Sequence, residues 1–191
     1  MGTLSQEEIA ELGFAAIGNN VRLSRKASFY NCSNISIGDN VRIDDFCVLS
    51  AGDGGIRIGS HIHIAVNTTL IGKAAIELAD FCNLSSRVAI YSSNDDYSGH
   101  FMTSPVVPTN YTNVSHGAVS LGKHVIVGCG SVIVGPVVLG EGVAVGALSL
   151  INRDCAPFGI YAGTPARWIK PRATDILRLE QDFLNASAQQ Q

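Results

Sequence analysis

Side chains that can move a proton cluster in one short stretch of the sequence. Asp95 and Asp96 are adjacent, and His100 follows a few residues later. A carboxyl group beside another carboxylate ionises less readily, so its pKa rises toward the range of a general base. An imidazole titrates near neutral pH and can accept a proton directly. The sequence therefore predicts a proton-transfer centre built on Asp95, with Asp96 raising its pKa, or on His100.

Three further polar residues are candidates for contact with a substrate. Asn94 and Tyr97 flank the two aspartates, and His63 directly precedes an isoleucine of the aliphatic pattern. A simpler interpretation is structural, because adjacent aspartates at the start of a loop often form turns with their own backbone. A histidine in a polar loop is in most cases only solvated. Both interpretations of these residues stay open at the level of the sequence.

The proton-transfer candidates lie in a segment that other elements must hold in place. Residues 91–120 are polar, contain Pro105 and Pro108, and show no helix or strand period. A stretch of this length without regular structure is uncommon in a compact domain and is often functional. The alternative is an excursion that only packs on the flank of the domain.

On both sides of this loop, aliphatic residues recur every six positions. They fall in groups of three that begin at Ile17, Ile37, Ile58, Leu78, Leu121 and Leu139. An amphipathic helix repeats at about 3.6 residues and a half-buried strand at about 2, so neither explains this period. Three short strands that together form one triangular coil do explain it. The sequence predicts an all-β parallel β-helix of about six coils, roughly 30 Å long at ~4.8 Å per coil.

The same repeat predicts which positions face the interior. A small residue precedes the aliphatic residue by two positions at Ala27, Ser33, Cys47, Cys82, Ser131 and Val137. A larger side chain would overpack a narrow interior at this position. Gly-Asp-Asn at 38–40 and Gly-Lys-His at 122–124 predict corners, because glycine and asparagine adopt unusual backbone angles at little cost. We expect the histidine of the second step, His124, to lie at the surface, together with His116.

Both ends of the chain predict helices. Ser5 and Glu8 form the pattern of a capping box with Gly13 as a stop, and Thr174 precedes a segment with one apolar side. A parallel stack of coils leaves two exposed ends that need covers. We therefore divide the chain into an N-terminal helical cap (residues 1–16), a β-helix (17–172, with the inserted loop 91–120) and a C-terminal helix and tail (173–191).

The overall composition argues against several classes of protein. The formal net charge is −3 with no block of like charges, which does not favour binding to nucleic acid. No apolar run reaches the roughly 18–20 residues that span a membrane. Hydrophobic residues make up 46% of the chain but aromatic residues only 7%, as a narrow interior of small side chains requires. The five cysteines are scattered, which is typical of a reduced compartment, so we expect a cytoplasmic protein.

These features resemble those of a known family. The hexads, the loop that interrupts them and the closing run Tyr-Ala-Gly-Thr-Pro-Ala-Arg at 161–167 are similar to the left-handed β-helix hexapeptide-repeat acyltransferases. The nearest branches are the galactoside and maltose acetyltransferases and the O-antigen or capsule sugar acetyltransferases. The resemblance covers residues 17–172. It implies a left-handed parallel β-helix and a homotrimer with active sites between subunits.

The resemblance also implies an activity. Its members use acetyl-CoA as a co-substrate, without a metal, and acetylate a sugar on oxygen or nitrogen. The acceptor is expected to be a nucleotide-linked sugar or a precursor of a polysaccharide or of the O-antigen of lipopolysaccharide. Aligning the hexads assigns these residues to the CoA site: Cys129, Gly146, Ala147, Asn152, Arg153, Arg167 and Lys170. Arginine and lysine suit the phosphates of CoA because they form charge-assisted hydrogen bonds with them.

The chain departs from the family pattern at the position of the catalytic base. Relatives carry a histidine at the mouth of the loop, in a context like Asn-His-Asp, where this sequence has Asp95 between Asn94 and Asp96. Acyl transfer to a hydroxyl needs a general base, so Asp95 with Asp96, His100 or His63 must replace that histidine. Alternatively the acceptor is an amine, which needs less help once it is deprotonated. The acceptor and the length of the acyl chain stay open.

Two other functions compete with acyl transfer. The β-helical carbonic anhydrases bind zinc through three histidines, and here His61 and His63 alternate on a predicted strand, with His100 or His116 as a third ligand. The wider histidine spacing of those enzymes is absent. The other alternative is a non-catalytic protein whose regular surface binds a partner, which the missing loop histidine favours and the basic C-terminal positions disfavour.

Overall fold

The computed structural model describes residues 2–188 and forms a parallel β-helix with one helix at each end. Met1 and residues 189–191, the outer ends of the predicted cap and tail, lie outside it. Strands are numbered β1 to β22 in chain order. The first face of the prism contains β1 (Ala16–Ile17), β4 (Ile35–Ile37), β7 (Ile56–Ile58), β10 (Ile76–Leu78), β15 (Val119–Leu121) and β18 (Val137–Leu139).

The second face contains eight strands. They are β2 (Arg22–Leu23), β5 (Arg42–Ile43), β8 (His63–Ile64), β11 (Asn83–Leu84), β16 (Ile126–Val127), β19 (Ala144–Val145), β21 (Gly159–Gly163) and β22 (Ala166–Pro171). The third face contains β3 (Ser28–Tyr30), β6 (Val48–Ala51), β9 (Thr69–Gly72), β12 (Ala89–Tyr91), β17 (Val132–Val134) and β20 (Leu150–Ile151). Neighbouring strands are parallel, except that β21 and β22 form an antiparallel hairpin. The fold is thus the predicted left-handed β-helix, with six complete coils and β21 as part of a seventh.

The core is a set of aliphatic columns inside the prism. On the second face Leu23, Ile43, Ile64 and Leu84 stand in register and are at most 1% exposed. Full burial of one such side chain contributes about 1.5–3 kcal/mol to folding. The period of six arises because each strand must offer one such residue to the axis at every turn. The predicted repeat is therefore confirmed.

The prediction of a small residue in the second interior position holds for some coils and fails for others, since Ile62 occupies this position on the second face. Cys47 and Cys82 are 0% and 1% exposed and lie in the interior as expected. Ser33, in contrast, is exposed in a 3₁₀ turn at Cys32–Asn34, and Ile35 takes the interior position instead. Apart from β1, the first-face strands present two aliphatic residues each to the core. The prism is thus wide enough there for a second branched side chain.

One corner of the prism consists of residues with left-handed backbone angles. Asn40, His61, Phe81 and His124 occupy successive coils of the corner between the first and second faces, with φ between +57° and +62°. The predicted corner steps at 38–40 and 122–124 are confirmed. The glycine of such a step is needed for space, since a Cβ on Gly38 would lie 2.8 Å from the carbonyl carbon of Gly59.

The two helices cover different parts of the prism. Helix α1 (Gln6–Glu11) begins with the predicted capping box between Ser5 and Glu8, and its Ile9 is buried against the core at the N-terminal end. Helix α2 (Asp175–Ala188) does not cover the other end but lies along the first corner. The β21–β22 hairpin extends the second face there. Neither helix is long and apolar enough to cross a membrane, within the part of the chain that is described.

The position of α2 corrects the expectation for His124. This side chain is buried, stacks on Phe81 with a centroid distance of 5.1 Å, and lies 2.7 Å from Glu180 of α2. Phe183 of α2 meets the ring of His61 edge-on at 5.2 Å. A row of rings at one corner provides an apolar surface that the apolar side of the helix can cover. The sequence reading missed this because corner residues ordinarily face water.

The inserted loop has more structure than its composition predicts. Its base is a two-residue antiparallel ladder of β13 (Ser93–Asn94) with β14 (Ser115–His116), and a 3₁₀ turn covers Thr109–Tyr111. The Ser93 hydroxyl and Nδ1 of His116 lie 2.9 Å apart across the ladder. The ladder was not predicted because two-residue strands leave no period in the sequence. It closes the loop where it leaves the prism.

Candidate functional site

The corner between the second and third faces carries a row of unpaired backbone donors. The residue directly after each second-face strand donates its N–H to the next coil, as Ser85 does to Val127, Gly128 to Val145 and Gly146 to Tyr161, at 2.8–3.0 Å. The N–H groups one residue further, at Ser86, Cys129 and Ala147, have no protein acceptor within residues 2–188. They repeat once per coil, about 4.8 Å apart. Such a row suits an elongated ligand with several carbonyl oxygens.

Three of the predicted CoA residues surround a cavity at the C-terminal end of the prism, between the segment that follows β20 and the β21–β22 hairpin. Asn152, Arg153 and Arg167 line a volume of about 230 Å³ together with Trp168. Both arginines are exposed and make no ion pair in the described chain, so they are available to an anion. Lys170 is not part of this cavity, because it lies opposite Ile160 on the β21–β22 hairpin.

Two other predicted CoA residues, Cys129 and Ala147, lie in the row itself, and Gly146 lies beside it. Cys129 and Ala147 are exposed at the corner, one coil apart, and Gly146 precedes Ala147. A Cβ on Gly146 would be 3.0 Å from Cβ of Ala162, whereas one on Gly128 would be 2.5 Å from the backbone nitrogen of Ala147. The fifth and sixth coils therefore leave no room for a side chain at these two glycines. A ligand can approach the backbone closely here.

Ser85 was not singled out from the sequence. The equivalent positions of coils three, five and six are Ala65, Gly128 and Gly146, so Ser85 brings a hydroxyl to a row of small apolar residues. Its side chain is half-buried and has no hydrogen-bond partner in the described residues. Ser85 could have been recognised in the sequence as a hydroxyl residue directly after the aliphatic residue of a hexad.

The two loop aspartates have different environments. The Asp96 carboxylate accepts hydrogen bonds from the hydroxyl and N–H of Ser98 and from the Asn113 side chain. The Ser98 hydroxyl, then Asn113 and the Ser98 N–H, lower the pKa of Asp96. Asp96 is therefore an ionised organiser of the loop. Asp95 is exposed and accepts no hydrogen bond from the described residues, which leaves its carboxylate free for a ligand.

The other predicted loop residues surround Asp95 loosely. Tyr97 is 84% exposed, and His100 is exposed with its backbone N–H bonded to Ser98. Asn94 belongs to β13 and is half-buried. Each of them remains accessible from solvent in a single chain. Their assignment to a substrate or base stays a prediction.

A single chain does not bring Asp95 to the row of free amides. Ser85 follows a second-face strand, at the corner between the second and third faces. The loop with Asp95 leaves after β12, a third-face strand, at the corner between the third and first faces. The whole third face therefore lies between them. The candidate residues form two half-sites on different edges of the prism.

His63 is held by a carboxylate on the second face. Its Nε2 lies 2.8 Å from Oδ2 of Asp44, whose other oxygen accepts from Nε of Arg42 at 2.7 Å. Partial burial raises the pKa of Asp44, but the hydrogen bonds from His63 and Arg42 outweigh it and leave the pKa below its usual value. His63 is thus an oriented imidazole one coil before Asn83 and Ser85.

The zinc-site alternative assumed that His61 and His63 alternate on one strand, and this assumption is wrong. His61 has a left-handed φ of +59° at the corner before β8 begins, so it does not alternate with His63 on a strand. Its ring stacks on Phe81 at 4.9 Å, while His63 contacts Asp44. No group of three metal-binding side chains occurs among residues 2–188.

Comparison with known proteins defines the class. No family model matches the chain. It is 54% identical over 183 residues, 96% of this chain and 95% of the relative, to a dTDP-4-amino-4,6-dideoxy-D-glucose acyltransferase from Escherichia coli. The chain therefore belongs to the hexapeptide-repeat acyltransferases, and the predictions of family and of acyltransferase activity are confirmed.

Solved structures lead to the same class. The chain is 48% identical, with a TM-score of 0.94, to the N-acyltransferase AntD from Bacillus cereus in complex with dTDP and 3-hydroxybutyryl-CoA, over 97% of this chain and 98% of that one. Other structures of AntD carry a changed aspartate, or a changed serine ten residues before it. A hexapeptide-repeat acetyltransferase from Vibrio cholerae, 20% identical with a TM-score of 0.57 over 87% of this chain and 80% of its own, shares the fold.

Proposed function

We propose that this protein transfers an acyl group from acyl-CoA to the 4-amino group of a dTDP-linked 4-amino-4,6-dideoxyhexose. The observation that carries the proposal is the 54% identity over 96% of the chain with an acyltransferase named for that sugar nucleotide. A structure of AntD with dTDP-4-amino-4,6-dideoxyglucose and CoA supports both substrates. The acyl chain is left open here, since AntD was also solved with 3-hydroxybutyryl-CoA.

The corner between the second and third faces, called the second corner below, has residues suited to binding acyl-CoA. Acyl-CoA supplies the acyl group as a thioester. We infer that the N–H groups of Ser86, Cys129 and Ala147 bind the carbonyl oxygens of its linear arm, since no protein acceptor in the described chain uses them. Arg153 and Arg167 pair with phosphate oxygens at the C-terminal cavity. The role of Lys170 toward the same ligand stays a prediction.

The chemistry of an amine acceptor explains the missing histidine. An amino sugar is an ammonium ion at neutral pH and becomes a nucleophile after losing one proton. An exposed carboxylate such as Asp95 can bind the ammonium and accept that proton, and a buried or paired base is not required. Ser85 and Asp95 also have the ten-residue spacing of the serine and aspartate changed in AntD. We infer that Asp95 is the base and that the Ser85 hydroxyl orients the reacting group.

A homotrimer would complete the site. Ser85 and Asp95 lie on different edges of one prism, so a neighbouring chain must bring its loop to the second corner. The third face between them carries exposed aromatic residues, with Tyr30 at 55% and Tyr91 at 36% exposure. Closed symmetric assemblies repeat the same contact around one axis. We propose three chains with three shared sites.

One assay tests the function directly. The purified protein is mixed with acetyl-CoA or 3-hydroxybutyryl-CoA and the dTDP-linked 4-amino sugar, and free thiol is followed together with the mass of the sugar product. We expect thiol release and a product heavier by the acyl group. The matched control is the same sugar nucleotide with a 4-hydroxyl, which should give neither. Turnover of the hydroxyl sugar alone would indicate O-acylation, and no turnover of either would favour a binding protein. A role in O-antigen or capsule assembly and a cytoplasmic location stay predictions.

A further inference from the structure

Two arginines stand in register on the second face, in coils that lie on the N-terminal side of Ser85. Arg22 of β2 lies opposite Arg42 of β5 in the parallel ladder, and both side chains are exposed. His63 occupies the same column in the next coil. Adjacent coils are about 4.8 Å apart, so two long guanidinium side chains in this column reach the same small anion. Neither arginine is among the residues that the family resemblance assigns to the CoA site or to the base.

The negative charges beside these arginines already have partners. The column borders a cavity of about 200 Å³ that Asp44 and Asp45 also line. Asp45 pairs with Lys26 at 3.0 Å and with the Ser24 hydroxyl. Asp44 is bound by His63 and by Nε of Arg42. Counting Arg22, Arg42 and Lys26 against the two aspartates, the cluster has an excess of one positive charge even when His63 is neutral.

The guanidinium groups keep donors free for a ligand. Arg22 forms no ion pair with any residue in the range 2–188. Arg42 uses Nε for Asp44, and its two terminal nitrogens have no partner in the same range. The carboxylate fixes the Arg42 side chain in one orientation, so less freedom is lost when an anion binds. Planar guanidinium groups match phosphate oxygens in a bidentate manner.

The spacing from the reaction centre fits a sugar diphosphate. Ser85 directly follows β11 in the fourth coil, whereas Arg42 and Arg22 belong to the second and first coils. The separations along the axis are therefore about 10 Å and 14 Å at 4.8 Å per coil. One hexose ring and the reach of an arginine side chain account for this distance. The free amides at Cys129 and Ala147 run from Ser85 in the opposite direction, so the two substrates need not overlap.

We propose that Arg22 and Arg42 bind the diphosphate of the nucleotide-linked acceptor and thereby place its sugar amine beside Ser85. This assignment rests on the proposed function, since it takes the acceptor to be a nucleoside diphosphate sugar. The arginines act as specificity residues: they distinguish a diphosphate-linked amino sugar from the free amino sugar. Asp44 positions Arg42, and Lys26 keeps Asp45 from competing with the ligand.

Binding of dTDP alone, measured by calorimetry, tests the assignment. Arg22→Gln and Arg42→Gln should each weaken dTDP binding by about ten- to a hundredfold, the usual effect of losing a hydrogen bond to a charged group. Affinity for CoA and kcat at saturating acceptor should not change, so the loss appears in KM for the sugar nucleotide. The matched control is Arg57→Gln, an arginine of the first face that pairs with Glu77 and should leave dTDP affinity intact. Arg42→Lys keeps the charge but cannot form bidentate hydrogen bonds, so it should give an intermediate loss of dTDP affinity.

The outcomes separate this assignment from the function. Wild-type turnover of the dTDP amino sugar with unchanged dTDP affinity in both arginine variants would overturn the assignment and leave the function standing. Absence of wild-type turnover and of dTDP binding would overturn both. An equal loss in Arg57→Gln would show a general charge effect and would also overturn it. Circular dichroism of each variant confirms that the β-helix is intact.

Discussion

Asn113 donates a hydrogen bond of 2.9 Å to the Asp96 carboxylate, across the inserted loop. The same carboxylate holds the turn at Ser98 through the backbone N–H at 2.8 Å. These bonds connect the outgoing and the returning limb of the loop close to its base ladder. They assign Asp96 to the loop's shape and leave Asp95, its neighbour, with an unoccupied carboxylate. Two adjacent residues of the same type therefore have separable roles.

The first prediction separates these two aspartates. Asp95→Asn should lower turnover by about 10²–10⁴-fold, the usual contribution of a general base, with little change in acyl-CoA affinity. Asp96→Asn should instead loosen the loop, because the amide cannot accept all the bonds of the carboxylate. Initial rates and limited proteolysis of the loop provide the two measurements. If His100→Ala is nearly inactive while Asp95→Asn is close to normal, the loop histidine is the base.

The second prediction concerns the two adjacent serines. Ser85→Ala removes a half-buried hydroxyl that no described residue engages, and kcat should fall by about ten- to a hundredfold. Ser86→Ala is the matched control, because the change leaves its backbone N–H in place and should alter kcat little. Steady-state kinetics with both substrates varied distinguishes the two. Equal losses in both variants would show that the corner responds to packing alone.

The fold could be read from the sequence because each coil repeats the same requirement. Cys47 and Cys82 were placed correctly because an interior position recurs at a fixed distance from the next aliphatic residue. His124 was misplaced, since its burial depends on Glu180 and the rings of α2, far along the chain. Ser33 failed for a local reason: a 3₁₀ turn shifts it out of the interior. The period constrains what lies inside a coil and nothing that packs on its outside.

The candidate site was only partly predictable for the same reason. Asp95 was found as a departure from a motif, and Arg153 and Arg167 as charges near the C-terminal end. Ser85 carries no signal in the sequence beyond one hydroxyl at a small-residue position. The role proposed for Ser85 depends on the free amides of Cys129 and Ala147 in the next two coils, and only the stacking of the coils places these groups together. The separation of Asp95 from Ser85 likewise follows from the faces to which their strands belong.

The third prediction compares two basic residues of the hairpin. Arg167 lines the C-terminal cavity and Lys170 does not, so Arg167→Ala should weaken CoA binding more than Lys170→Ala. A lost phosphate contact of this kind lowers affinity by about ten- to a hundredfold. Calorimetry with CoA and with dephospho-CoA identifies which phosphate is bound, since a variant that contacts the 3′-phosphate loses affinity only for CoA. Greater loss in Lys170→Ala would place the nucleotide on the far side of the hairpin.

The fourth prediction concerns the attachment of α2. Glu180 lies 2.6 Å from Lys123 and 2.7 Å from His124, and the hydrogen bonds from Lys123 and then His124 lower its pKa. A carboxylate with a lowered pKa stabilises the fold above its unfolded pKa of about 4.3, and this contribution is lost as the pH falls through the lower folded value. Glu180→Gln should reduce the free energy of unfolding at pH 7 by about 2 kcal/mol.

The control for this change is a pair on the exposed side of the same helix. Asp182 and Arg178 are 61% and 68% exposed, and Asp182→Asn should change stability by only about 0.3–0.5 kcal/mol. Denaturant melts at pH 7 and below pH 4 give the comparison, and the difference between Glu180→Gln and wild type should shrink at the lower pH. A difference that grows on acidification would contradict the assignment of the charge to Glu180.

The last prediction concerns the shared site. Light scattering should give about three times the mass of one 20.1 kDa chain. If Ser85 of one chain works with Asp95 of its neighbour, then Asp95→Asn and Ser85→Ala chains, each weakly active alone, should regain activity when unfolded together and reassembled. After random reassembly from equal amounts of the two variants, about a quarter of all sites combine an intact serine with an intact aspartate. The control is a mixture of the two folded variants without unfolding, and its activity should stay at the mean of the two separate activities. Activity at that mean after reassembly would show that each chain carries a complete site, and a monomer mass would contradict the assembly itself.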